Sequence, residues 1–128
     1  MKQVIRTDAA PAAVGPYSQA VAVDGWLWVS GQIPLDPASG ELVTGNIDVA
    51  TRRVLDNLKA VVEAAGASLD QAVRVTIYLT DLGGFETVNS IYAEYFTGSP
   101  PARVCVEVSR LPKGAEVEMD AVVRLGVN

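Results

Sequence analysis

Histidine is absent from this 128-residue chain. Without an imidazole, one chain cannot build a Ser-His-Asp triad, a Cys-His pair or a histidine-ligated metal centre. Cysteine occurs once, as Cys105, which excludes an internal disulfide and any CxxC motif and fits a reducing compartment. Lysine is scarce: Lys2, Lys59 and Lys113 are the set, and none lies in an apolar stretch that would desolvate it for Schiff-base chemistry. Basic charge as a whole is in deficit. Ten Lys+Arg stand against fifteen Asp+Glu, a formal net charge of -5, the opposite of what a nucleic-acid-binding surface carries. No apolar run approaches the roughly eighteen residues of a membrane span. The opening MKQVIRTDAA also has no hydrophobic stretch of the kind that marks a secretory signal. What is present is 49% hydrophobic and 20% charged, which predicts one folded domain over residues 1–128 in the cytoplasm.

The apolar pattern then divides the chain. YSQAVAV and WLWVS flank Asp24-Gly25, a pair suited to a type I′ turn, and predict a hairpin over 17–30. A loop broken by Pro34, Pro37, Gly40 and Gly45 follows. Ile47, Val54, Leu58, Val61, Val62 and Ala65 recur at three- and four-residue steps and predict a helix from about Asp48 to Ala65, stopped by Gly66. Val73 to Leu79 alternates, with Val73, Val75, Ile77 and Leu79 on one side. A second helix is expected from Phe85 to Phe96, and after Ser99-Pro100-Pro101 two strands over Ala102–Val108 and Val117–Arg124. The order β-β-α-β-α-β-β is that of an α+β domain, a mixed sheet with two long helices packed on one face.

The second sheet face is where chemistry would sit. Alternation in PARVCVEV puts Ala102, Val104, Val106 and Val108 toward the core. That leaves Arg103, Cys105 and Glu107 on the opposite face with Glu118, Asp120, Arg74, Thr76 and Tyr78. So mixed a face suits burial in an oligomer. Arg103 reads either as a cross-strand ion pair with Glu107 or Glu118, or as a guanidinium fork for a small carboxylate. Glu118 is either a solvated strand carboxylate or, in a chain without histidine, the general base for a water. Cys105 reads as a small filler, since no imidazole is there to form its thiolate. Tyr17 and Ser30 end the two hairpin strands and are either structural hydroxyls or a substrate clamp. Met119 and the helix aromatics read as core.

APAAVGPYSQAV at 10–21, VSGQIPLDPASGE at 29–41, TIYLTDLGGFETVNSIYAEYF at 76–96 and PARVCVEVSRLPKGAEVEMDA at 101–121 resemble, essentially end to end, the reactive intermediate deaminase family, RidA or YjgF. The resemblance implies a chorismate-mutase-like homotrimer with sites between neighbouring subunits. It also implies cofactor-free hydrolysis of 2-imino acids or enamines, such as 2-iminobutanoate and 2-iminopropanoate, to 2-keto acids and ammonia. By that likeness Arg103 holds the substrate carboxylate and Glu118 orients the attacking water. Tyr17 and Ser30 line the pocket, backbone around Cys105 meets the substrate, and Gly31 and Asn89 lie near the cleft. No metal, nucleic acid or membrane partner is implied. Two other classes stay open: an endoribonuclease or translation inhibitor, which the acidic charge disfavours, and a non-catalytic small-carboxylate binder or holdase-like protein. Gly84 departs from the Asn or Asp that relatives often place before the second helix, a matter of capping.

Overall fold

The computed structural model describes residues 1–126. Strands β1 (Gln3–Ile5), β2 (Ala20–Val23), β3 (Trp26–Gln32), β4 (Ala72–Leu79), β5 (Ala102–Glu107) and β6 (Val117–Arg124) form one sheet in the order β1-β2-β3-β6-β4-β5. Only the β4–β5 pair is parallel, joined over helix α2 (Phe85–Tyr95), while helix α1 (Ile47–Ala64) carries the chain from β3 to β4. The β2–β3 turn takes positive φ at both central residues, Asp24 at 52° and Gly25 at 83°, as a type I′ turn demands. Asn46 caps α1 by accepting from the Val49 N–H, and Gly66 at φ 83° stops it. The short strand β1 and its pairing with β2 were not expected from the sequence.

Both helices cover one face of the sheet. Val54, Leu58, Val61 and Val62 of α1 and Val88 and Ile91 of α2 bury against Leu27, Val75, Ile77, Leu79, Val117, Met119 and Val123. Burying such aliphatic side chains is worth about 1.5–3 kcal/mol each before chain entropy is set against it.

Two strand assignments are corrected. Val73 is exposed and Ala72 is buried, because the β4–β6 register shifts between Ala72 and Arg74 and a one-residue slip exchanges the faces. The larger correction is β5. Its register pairs Val75 with Arg103, Ile77 with Cys105 and Leu79 with Glu107. Since Val75, Ile77 and Leu79 are fully buried beneath the helices, Arg103, Cys105 and Glu107 share the helix-covered face. Val104 and Val106 turn to the open face instead. An edge strand lies under the rim of the helix layer, where a long side chain is accommodated along a helix flank, so an apolar-inward rule does not bind there. Glu118 keeps its expected place on the open face, between buried Val117 and Met119.

Candidate active site

Glu118 sits on β6 opposite Tyr78 of β4, and its side chain turns over the β3 bulge at Ser30-Gly31. There the ladder passes from Val29↔Ala121 to Gln32↔Met119, so Ser30 and Gly31 together face Asp120. The missing side chain at Gly31 is what admits the carboxylate: a Cβ there would overlap its oxygen and lie 2.9 Å from Cδ. Ser30 is fixed by donating its hydroxyl to the Ser18 carbonyl at 2.6 Å, and its N–H to the Gln19 carbonyl at 3.0 Å. Those bonds bring Tyr17 and Ser30 to the wall of one cleft of about 580 Å³, which Glu118, Gly31, Pro112 and Lys113 also line.

The Glu118 carboxylate is half-buried and has no hydrogen-bond or ion-pair partner among the described residues. Burial, and secondarily the neighbouring Asp120, push its carboxyl above the ordinary carboxylate range. Asp120 is engaged elsewhere, accepting the Tyr78 hydroxyl at 3.0 Å. An uncompensated carboxylate of raised proton affinity in a cleft is suited to taking a proton from water.

Arg103 lies on the other face of the same sheet, in a second concavity of about 430 Å³ with Asn89, Tyr92, Phe96, Pro100 and Pro101. The ion pair with Glu107 or Glu118 is not formed. Arg103 instead donates from Nη1 to the Asn89 amide oxygen at 2.8 Å, and its guanidinium lies over the rings of Tyr92 and Phe85, 4.9 and 5.5 Å from their centroids. Asn89 therefore holds Arg103. Cys105, one pleat further along β5, is partly buried against the core, and burial pushes its thiol up against the weaker pull of Arg103. That is a poor nucleophile and a good filler.

The expected site residues thus separate: Tyr17, Ser30, Gly31 and Glu118 line one cleft and Asn89 and Arg103 the other, while Cys105 shares the face of Arg103 but packs against the core. Phe85 and Tyr92, read from the sequence as core alone, are the residues it missed. Their signal was the spacing Phe85, Asn89, Tyr92, an i, i+4, i+7 stripe on one helix flank. Among the described residues no cluster of three or more Cys, Asp or Glu side chains is arranged to hold a metal ion, and no helix is long and apolar enough to cross a membrane.

The family model described as Endoribonuclease L-PSP matches residues 7–125. A RutC family protein of Pyrococcus abyssi is 54% identical over 121 residues, covering 94% of this chain and 95% of the relative. The mouse 2-iminobutanoate/2-iminopropanoate deaminase is 46% identical over 126 residues, 98% of this chain and 93% of its own. A Thermotoga maritima protein crystallised as a candidate endoribonuclease superposes with a TM-score of 0.96 at 49% identity, over 99% of this chain and 100% of that one. The chain belongs to the Endoribonuclease L-PSP family, the YjgF/RidA family.

Proposed function

We propose that the chain hydrolyses 2-imino acids, 2-iminobutanoate and 2-iminopropanoate among them, or their enamine tautomers, to 2-keto acids and ammonia. The observation that carries this reading is the pair of uncompensated charges: a half-buried Glu118 in a cleft without a partner among the described residues, and an Arg103 whose ion-pairing capacity is unused. The name of the mouse relative points the same way. In this reading Arg103 binds the substrate carboxylate and so fixes the imine carbon. Glu118 accepts a proton as water adds to that carbon, giving a carbinolamine. The proton passes to nitrogen, the C–N bond breaks, ammonia leaves and the carbonyl forms. One water is consumed and no electrons change hands. General acid–base help of this kind contributes about 10²–10⁴-fold.

Arg103 and Glu118 of one chain point from opposite faces of one sheet, so a substrate touching both needs Arg103 from one copy and Glu118 from another. A homotrimer with sites between copies meets that need and buries the open face. The test is a coupled assay in which a threonine dehydratase or an amino-acid oxidase generates the imine and semicarbazide traps what escapes. Faster keto-acid release with the wild type, lost in Glu118→Gln, is expected. Wild-type protein that leaves the semicarbazone yield unchanged would overturn the assignment.

A further inference from the structure

Phe85, Asn89 and Tyr92 form, we propose, a holder on α2 that presents Arg103 to a carboxylate, with the two rings as positioning residues. This rests on the reading of Arg103 as the carboxylate anchor and goes beyond it. An exposed arginine on an edge strand has many rotamers open to it, whereas a bidentate anchor needs its guanidinium plane fixed before substrate arrives. Three contacts on one flank of α2 supply that. The ring faces of Tyr92 and Phe85 take the cation, its Cζ 4.9 and 5.5 Å from their centroids, and Asn89 takes one N–H at 2.8 Å. A guanidinium has five N–H donors, so four remain for a ligand.

The holder is itself rigid. Tyr92 is buried and stacks on Phe96 at 4.4 Å between centroids with the planes 29° apart. Its hydroxyl is buried and has no hydrogen-bond partner among the described residues, so the ring and not the O–H carries its role here. Burial keeps that hydroxyl protonated, with its pKa pushed up to about 12, so it stays neutral in the physiological range. A cation held over two rings keeps its charge, because aromatic faces attract it without neutralising it, as a carboxylate partner would. That is the difference between a structural arginine and one kept ready for an incoming anion.

The test compares Phe85→Leu, Tyr92→Leu and Tyr92→Phe by three readouts: steady-state kinetics with 2-iminobutanoate, calorimetric affinity for 2-oxobutanoate, and the NMR signal of the Arg103 Nε–H. Loss of one ring in Phe85→Leu should raise KM and weaken 2-oxobutanoate binding about fivefold, with the smaller effect on kcat, and average the Nε–H signal toward that of a free arginine. Tyr92→Phe, which keeps the ring, should restore wild-type values. Should Tyr92→Leu fail to fold, Phe85→Leu decides, because Phe85 is only partly buried. A folded Phe85→Leu with unchanged KM, affinity and Nε–H signal would overturn the proposal. If instead Arg103→Lys leaves 2-oxobutanoate affinity intact, the anchor reading fails, and the Nε–H signal still shows whether the rings hold the guanidinium.

Discussion

Glu118 carries a cost that its chemistry explains. Its carboxyl is more easily protonated in the fold than in the unfolded chain, because burial, with Asp120 beside it, disfavours the charge. Below the ordinary glutamate pKa of about 4.3 both states are protonated and the residue is neutral to stability. As pH rises through the raised folded-state value, the unfolded chain has already ionised and the fold bears the penalty, so stability falls. Glu118→Gln should therefore melt higher than wild type at pH 7, with the gain vanishing near pH 4, while turnover drops about a hundredfold or more. Calorimetric melts across that range check the sign. A lower melting temperature at pH 7 would make Glu118 a structural group and remove the argument for a strained base.

Gly31 tests the same carboxylate by geometry. With a Cβ at that position overlapping the Glu118 side chain, Gly31→Ala must push the carboxylate aside. Displacement of a reacting group by about 1 Å costs on the order of a hundredfold in rate. The backbone at Gly31 is not among the positive-φ positions, so the alanine meets no strain of its own and the fold should stand. Circular dichroism would report a native spectrum beside a crippled kcat.

At the scale of elements, the cleft depends on a clamp. Gln19 is buried, accepts the Thr7 N–H at 2.7 Å, and donates to the carbonyls of Thr7 and Pro11 at 3.0 and 2.8 Å. It lashes the segment 7–11 to the end of the hairpin, and that segment leads into Tyr17 at the cleft wall. Gln19→Ala leaves those groups short of partners, at about 1–3 kcal/mol. A urea midpoint lowered in proportion to that loss, at an unchanged denaturant slope, is expected, with faster proteolytic cutting between residues 7 and 17.

The legible and illegible parts of the molecule separate at this scale. Asp24-Gly25, Gly66 and the apolar steps of α1 were readable because each follows from local backbone or 3.6-residue geometry. The phase of β5 was not. Alternation states that Arg103 and Val104 face opposite ways, and only pairing with β4 states which of them the helices cover. That error hid the aromatic stripe, since Phe85 and Tyr92 cannot meet an arginine assigned to the far face. Val73 failed for a related reason, the bulge being a property of two strands together.

For the whole molecule, the open sheet face is the feature one chain does not account for. Val4 and Trp28 are each 53% exposed and Val106 is 37% exposed, and Glu118 shares this face while Arg103 lies on the other. In a closed ring of three copies, each contact is head-to-tail, so every site would draw one of the two residues from each neighbour. Light scattering should then give three times the monomer mass. A sharper consequence follows from mixing. Arg103→Lys and Glu118→Gln chains are each expected to be inactive alone, the first because an ammonium cannot reproduce the planar fork. Unfolded together and refolded in equal amounts, they assemble at random around the ring. Half of the positions supplying the carboxylate then come from chains with Glu118 intact, and half of their neighbours have Arg103 intact. About a quarter of all sites are complete, and about a quarter of wild-type activity should return. If both residues acted within one chain, no mixture would contain a complete site, and the refolded sample would stay as inactive as its components.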